Sequence, residues 1–369
     1  MSFKIKETQD IKGFAAFPYN LYLKNPFWVG ELKNDVVKLL SPSHPFWFHA
    51  EKKLFMAFDG EGQAIGRIAA IVNHSHNSFH NEKCGFFGFF DCIDNTEVSG
   101  ALLCAAENWL KSRGMDMLRG PANPSSNETW GMLVEGFDSP NMVMMPYNFS
   151  YYKDLVEKAG YCKEKDLLAF KFLTSKGFPQ RFRKITDRVV RDGSVKINLV
   201  DIDKIDSELE KLKDIYNKAW EKNWGFVPMT QAEIEHMASD LKPFLKSDYL
   251  FFASVKGDPA AFCLLLPDFN IPLKSAHGKL TPFNIPIFLW RMFFSLKSGR
   301  LLALGVKSEY RNRGLELLMI KQAIESASRM GWEWGELSWT LEDNEKINSV
   351  ISNIGGVVYK KYRIYSKKL

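Results

Sequence analysis

Cysteine is scarce and follows no framework: the 369 residues hold five, none at CxxC spacing. An odd, scattered set of this kind argues against a disulfide-stapled scaffold or a CxxC metal or redox motif. Cys84, Cys92, Cys104, Cys162 and Cys263 are expected to be reduced and mostly buried, as in a cytoplasmic protein. Long apolar runs are missing too. None approaches the roughly 18 residues of a membrane span, and the opening Met-Ser-Phe-Lys-Ile-Lys-Glu-Thr lacks a signal-peptide core. A membrane is not an expected partner. Nor is charge of one sign concentrated: Lys and Arg number 49 against 43 Asp and Glu, a formal charge of +6 spread along the chain. Without a dense basic cluster, nucleic acid is not an expected partner either. No GxSxG, HExxH or P-loop pattern occurs, so hydrolase, zincin and NTPase chemistries lack support. His74, His76, His80 and Cys84 lie close together. They supply too few placed ligands for zinc, so a solvated loop is expected and no metal.

What is present is apolar and aromatic: 46% hydrophobic residues, 14% aromatic, with 29 Phe and 10 Trp. That content fits a globular chain, and its length suits two domains. Leu54 to Phe58 and Ala64 to Val72 flank Asp59-Gly60-Glu61-Gly62 as a hairpin. A strand at Cys84 to Phe90, a helix over Val98 to Arg113 closed by Gly114, and a strand at Met115 to Arg119 follow. A helix over Tyr151 to Ala159 and a strand at Leu167 to Phe172 complete the half. The basic stretch around 176–195 is expected to be a linker with a short helix, between domains over 1–175 and 196–369. The second half repeats the order: helices at Ser207 to Asn223 and Gln231 to Lys246, then a hairpin around Lys256-Gly257-Asp258. A strand at Leu301 to Val306, a helix from Gly314 to Met330, a strand at Glu336 to Thr340, a helix to Ile354 and a last strand follow. Gly114, Asn127 and Glu128 match Gly331, Asn344 and Glu345 in offset. Repeated architecture of α/β class, with helices covering a twisted sheet, is expected. Two insertions break the repeat, Trp130 to Asn148 and Asp268 to Lys297; the apolar run Ile285 to Leu296 in the second is expected to be a buried helix, with a dimer surface or a lid as alternatives.

The most informative segment runs Leu304-Gly305-Val306-Lys307-Ser308-Glu309-Tyr310-Arg311-Asn312-Arg313-Gly314-Leu315-Glu316. An apolar strand enters a polar turn and then a helix. Such a turn suits phosphate, because free N–H groups at a helix start converge on one spot and the helix dipole favours negative charge. Gly314 permits close backbone approach, and Arg311 and Arg313 add positive charge.

Here the chain resembles the GNAT acyltransferase superfamily, whose signature is Arg or Gln, two residues, Gly, one residue, then Gly or Ala. Arg311 and Gly314 match; Glu316 stands where the family has Gly or Ala. The resemblance implies two GNAT-like domains in tandem, each a twisted, mixed, mainly antiparallel sheet flanked by helices. It implies acetyl-CoA or another acyl-CoA as acyl donor, held by Leu304, Gly305, Val306, the turn from Arg311 to Glu316, and Asn344. Asn344 serves equally as a helix N-cap. The strand bearing the signature is expected to splay from the next, and the acyl arm to lie in the gap. The implied reaction is direct attack of an amine on the thioester. The family's Tyr acid is replaced by Ile351 in this half and by Val156 in the first; Glu309 and Glu342 are the base candidates.

The acceptor, a small or amino-acid-like amine, is expected near Trp220, Asn223, Trp224 and Phe226, where core packing is the competing reading. In the first half, Asn123, Ser125, Ser126 and Asn127 crowd a proline-stiffened turn, and Tyr147 and Asn148 follow. With Gly136-Phe137-Asp138, these segments resemble a bacterial family of tandem GNAT-like proteins. Acidic Asp91 and Asp94 occupy the first copy's phosphate position. That copy is therefore expected not to bind CoA but to help form an acceptor cleft between the domains. A monomer or homodimer is expected. The rival functions are a catalytically degenerate GNAT pair acting as a binding module, and an aminoacyl-tRNA-dependent transferase.

Overall fold

The computed structural model describes residues 2–191 and 193–369; Asp192, in the expected linker, lies outside them. By its contacts the chain forms two units that interleave in sequence. Unit 1 comprises Met1–Leu167, Asn270–Ser295 and Lys360–Leu369; unit 2 comprises Leu168–Phe269 and Leu296–Tyr359.

Unit 1 begins with β1 (Phe3–Glu7), α1 (Ile11–Leu21) and α2 (Lys33–Leu39), none of them apparent in the sequence. Helix α1 forms despite Pro18 because Asp10 caps it, accepting the Gly13 N–H at 3.0 Å. Strands β2 (Ala50–Asp59) and β3 (Ala64–Asn73) make the expected hairpin. The expected solvated loop after it is instead helix α3 (His74–His80), capped by the Asn73 side chain, and His76 is buried in it. Next come β4 (Cys84–Cys92), α4 (Thr96–Ser112), β5 (Met117–Gly120), β6 (Ala122–Asn123) and β7 (Thr129–Trp130). β8 (Met132–Glu135), α5 (Tyr152–Lys158) and β9 (Cys162–Leu173) follow. β9 passes into unit 2, whose elements are α6 (Gln180–Val190), β10 (Val195–Leu199), α7 (Ile205–Trp220), α8 (Gln231–Leu241), β11 (Leu250–Val255) and β12 (Asp258–Pro267). The chain then returns to unit 1 for α9 (Asn270–Ala276) and α10 (Ile285–Phe294). Unit 2 resumes with β13 (Ser298–Val306), α11 (Leu315–Arg329), β14 (Trp334–Leu341) and α12 (Glu345–Ile354). The last strand, β15 (Val357–Lys368), starts in unit 2 and ends in unit 1.

In unit 1 the strands lie in the order β1-β2-β3-β4-β5, with the end of β15 antiparallel to β5 from Tyr365↔Gly120 to Lys368↔Met117. One sheet face packs Ile68, Ala70 and Phe87 against Leu102, Leu103 and Ala106 of α4. The other packs Ala69, Ile71 and Phe89 against Phe14 and Phe17 of α1. Alternation along β3 delivers the two sets to opposite faces. In unit 2 the order is β14-β13-β12-β11-β10. There α11 buries Leu315, Leu318 and Met319 against Ala261, Cys263 and Leu265 of β12. Gly114 and Gly331 end α4 and α11 with φ of 77° and 72°, a left-handed conformation that suits glycine at a helix exit. One expectation fails outright: no residue of α10 is buried.

Candidate active site

The sheet of unit 2 opens between β13 and β14. β13 stays paired with β12 from Pro267↔Gly299 to Ala261↔Val306, whereas its parallel pairing with β14 runs only from Ser298↔Trp334 to Leu301↔Leu337. Beyond those rungs the strands part, as the GNAT resemblance implies. The β14-facing edge from Leu302 to Val306 is left outside the ladder, about 15 Å of main chain at the usual rise per residue.

At the open end, β13 enters a 3-10 turn over Ser308–Tyr310, then Asn312 and Gly314 at φ of 60° and 82°, then α11. No side chain caps α11. Its first hydrogen bond runs from the Leu318 N–H to the Gly314 carbonyl at 3.0 Å, so the N–H groups of Leu315, Glu316 and Leu317 project from the helix end. The two arginines behave differently from a simple pair of phosphate ligands. Arg311 donates from Nε to the Val306 carbonyl at 3.1 Å and from Nη2 to the Ala219 carbonyl, which ties the turn to the end of α7. Arg313 is exposed, with its guanidinium 5.9 Å from the Tyr310 ring centre. Gly314 meets the expected linker: a Cβ there would lie 2.9 Å from Val189 Cγ2 and 3.1 Å from Ile185 Cγ2, both on α6. Its positive φ and this close approach account for glycine. Lys307, buried beneath the turn, pairs with Asp214 of α7 at 2.6 Å. Desolvation pushes the Asp214 pKa up, but its bonds to Lys218 and Lys307 outweigh that and hold it below the ordinary value.

Asn344 accepts the Ile347 N–H at 3.4 Å and so caps α12. Glu309 is exposed and accepts from the Ser308 hydroxyl at 3.2 Å, while the Glu342 carbonyl accepts from Asn348 Nδ2 at 3.3 Å. Leu304 packs toward α11 and α12; Gly305 and Val306 are buried. Trp220 sits edge-on to Tyr216 and Phe262 at 4.6 and 5.6 Å, and Phe226 is buried beside Tyr216, so these two aromatics do pack the core. Asn223 accepts the Phe226 N–H at 3.2 Å through its carbonyl, and Trp224 is half-buried beside it.

Sequence reasoning missed the polar cluster where β13 and β14 part. Glu336 is fully buried there, accepting from the hydroxyls of Ser338 and Tyr359, with Arg300 Nε at 3.8 Å. Arg300 also donates to Ser338 Oγ at 2.8 Å. Leu337 packs with Ile320, Ile324 and Ile351, so alternation sends Glu336 and Ser338 to the opposite sheet face. The residues alternate apolar and polar in an ordinary way, and only the parting of the strands reveals the cluster.

Unit 1 shows the same parting closed by its own chain. β4 and β5 pair from Cys84↔Met117 to Phe86↔Arg119 and then separate. Asn123 of β6 fills the gap, its Oδ1 accepting the Phe89 N–H at 2.5 Å. A Cβ on Gly88 would lie 1.7 Å from the Ala122 carbonyl oxygen. At the start of α4, the Asn95 side chain already accepts from the N–H groups of Glu97 and Val98 at 2.9 and 3.0 Å. Nearby, a cavity of about 140 Å³ is lined by Asn123, Tyr147 and Asn148 with Tyr19, Trp28, Glu31, Arg67 and Asp91. Ser125, Ser126 and Asn127 are not among its lining residues; they form the turn between β6 and β7, where Ser125 Oγ accepts the Asn127 N–H at 3.1 Å. Asn148 holds the backbone of Leu133, and Tyr147 donates to the Phe137 carbonyl at 2.9 Å. Burial raises the Asp91 pKa, partly countered by Arg67 at 2.8 Å and by the Tyr22 and Tyr152 hydroxyls.

His76, Glu82 and Cys84 bring possible metal-ligand atoms within 4.8 Å of one another. Arg119 shares that space, 3.2 Å from the Glu82 carboxylate and 3.5 Å from His76 Nε2. A buried guanidinium there supplies the positive charge that a cation would otherwise bring.

No protein-family model matches the chain. It is 35% identical over 372 residues to the bacterial ceramide synthase of Caulobacter vibrioides, covering 99% of this chain and 96% of that one. It is 34% identical over 366 residues to protein YghO of Escherichia coli, covering 98% and 93%. Among solved structures, a tandem GNAT protein from the clavulanic acid biosynthesis pathway superposes with a TM-score of 0.59 at 11% identity, covering 100% of this chain and 98% of that chain. Two GNAT-like folds in one chain, with an open strand pair in the second, agree with that likeness, and at this identity it speaks to fold alone. The chain belongs to the family of the bacterial ceramide synthase and YghO, built on the tandem GNAT fold.

Proposed function

We propose that the protein is an acyl-CoA-dependent N-acyltransferase that forms an amide on a long-chain amino alcohol. The reaction class is carried by the parted β13 and β14 above an uncapped helix start, a geometry that fits an extended chain ending in a diphosphate. The acceptor class replaces the small or amino-acid-like amine expected above, on the support of the relative named a ceramide synthase, since a ceramide is an amide of such a base.

The residues present fit acyl-CoA. The N–H groups of Leu315 to Leu317, with Asn312, Arg313 and Gly314, would hold the diphosphate, and the open edge at Leu304, Gly305 and Val306 the pantetheine. Arg311 holds the turn in shape rather than contacting phosphate. Acyl-CoA supplies the acyl group activated as a thioester. The edge leads from the turn to Glu336 and Tyr359, so these residues face the reacting end. Tyr359, held by Glu336, would take a proton from the attacking ammonium and pass its own to the carboxylate; as the C–N bond forms and the C–S bond breaks, the next proton lost from nitrogen would neutralise the departing CoA thiolate. This assigns to the cluster the base role first given to Glu309 and Glu342, which flank the opening. In unit 2, where Trp220 and Phe226 pack the core, Asn223 and Trp224 remain proposed acceptor contacts; the alternative set, in unit 1, is Asn123, Ser125, Ser126, Asn127, Tyr147 and Asn148. Within the latter set, Asn123, Tyr147 and Asn148 have a cavity to act in.

The test is an amide-forming assay with purified protein, a long-chain acyl-CoA and a sphingoid base. Amide and free thiol are expected in equal amounts. Tyr359→Phe is expected to lower kcat by about a hundredfold, typical of a lost proton-transfer group, with little change in the KM for acyl-CoA. Absence of product with every acyl-CoA tried, together with no thermal shift on adding them, would leave the degenerate-pair reading standing.

A further inference from the structure

Helix α10 reads Ile-Pro-Ile-Phe-Leu-Trp-Arg-Met-Phe-Phe, apolar around nearly its whole circumference, and none of it is buried. Phe283, just ahead of it, is 95% exposed, Phe293 73%, Phe294 71% and Trp290 59%. Ile285, Ile287 and Leu289 are exposed as well. Isolated exposed apolar side chains need no explanation, but a contiguous set of large ones does. A helix apolar on all sides belongs in a core or in lipid. At ten residues it is about 15 Å long, half of what a bilayer crossing needs. No described helix is long and apolar enough to cross a membrane.

Charge indicates what covers this face. From Phe269 to Ser308 the chain carries no Asp or Glu, while Lys274, Lys279 and Arg291 lie on or between α9 and α10. Apolar aromatics beside cations, in a segment that itself has no carboxylate, match the interface of an anionic bilayer, where Trp sits at headgroup depth and Lys and Arg meet phosphates. A symmetric dimer through the same patch would set these cations against their own copies.

We propose that α10 and Phe283 insert into the lipid–water interface of an anionic membrane, as a peripheral anchor. That the anchor gives access to a membrane-dissolved acceptor rests on the function proposed above; the attachment itself rests on the exposed face alone.

The experiment is flotation of the full-length protein with phosphatidylcholine vesicles, with and without phosphatidylglycerol. Recovery with the phosphatidylglycerol vesicles is expected, with much less on phosphatidylcholine alone. Replacing Phe283, Trp290, Phe293 and Phe294 together by Ser is expected to weaken partition by at least about tenfold, because the inserted apolar area sets the affinity. The circular dichroism spectrum and melting temperature should be unchanged. Lys279→Glu, on an exposed side chain, is expected to weaken binding to the anionic vesicles only. Wild-type protein that stays out of both vesicle fractions, or variants that float as well as wild type, would overturn the proposal. So would a wild-type dimer that the fourfold variant converts to monomer without any change in flotation. Turnover of a sphingoid base dispersed in detergent, without vesicles, separates the two claims: its absence with flotation intact defeats the proposed function and leaves the anchor, whereas turnover without flotation defeats the anchor alone.

Discussion

Glu316 occupies the first turn of α11, where a carboxylate stabilises the helix through its dipole yet opposes a diphosphate at the same N–H groups. The two effects have opposite signs and are separable by one substitution. Glu316→Gln is expected to lower the Kd for CoA several-fold while costing about 0.3–1 kcal/mol of stability, the usual worth of a first-turn acid. Titration calorimetry and thermal melting read the two separately; weaker CoA binding in the variant would contradict the placement of the phosphates. The residues of this turn were legible in the sequence as residues, but not in their roles. Arg311 looks like a phosphate ligand until its guanidinium is seen on the Val306 and Ala219 carbonyls. Gly314 looks like a glycine required by an anion, but what its missing Cβ makes room for is Val189. Nothing local in a sequence says which partner a long side chain chooses.

Elements with strong periodicity and clear ends were legible. Helix α4 was readable from Leu102, Ala106 and Leu110 on one face and Gly114 at its exit. Helix α3 was not, because His-Ser-His-Asn-Ser-Phe-His carries no apolar period; its Asn73 cap and the burial of His76 depend on tertiary packing. That burial has a measurable consequence. Desolvation, with smaller contributions from His80 and Arg119 outweighing Glu82, lowers the His76 pKa from 6.5 to about 4. Above pH 6.5 neither folded nor unfolded chain protonates this ring, and its burial costs nothing in protons. As pH falls from 6.5 towards 4, the unfolded chain takes a proton that the folded one refuses, and stability is lost. His76→Gln is expected to flatten that part of the stability-against-pH curve, measured by urea unfolding between pH 7 and about 4. An unchanged slope would mean that the ring titrates freely in the folded protein. The parting of β13 from β14 was expected from resemblance only, since neither the apolar run of β13 nor the ordinary alternation of β14 changes where pairing stops.

On the scale of the molecule, a repeated order of elements was legible and the assignment of segments to units was not. Hydrophobic patterning reports that Tyr362, Ile364 and Tyr365 are buried, not which core buries them; all three are fully buried in unit 1. Lys360 is buried too, donating to the Ser139 carbonyl at 2.9 Å and to that of Gly136. Fully burying one large apolar side chain is worth about 1.5–3 kcal/mol. Losing three therefore rivals the roughly 5–15 kcal/mol by which a domain is stable. Deleting Lys360–Leu369 is expected to unfold unit 1, read as rapid proteolysis within Met1–Leu167. A protease-resistant unit 1 in the shortened protein would show that the strand is dispensable. The same arrangement bears on synthesis. The ribosome releases the first unit's closing strand only after all of unit 2, so every nascent copy must wait, incomplete and with sticky surface showing, until residues 360–369 emerge. A stalled or prematurely ended translation product would have no finished half to offer, and its removal would fall to the cell's chaperones and proteases.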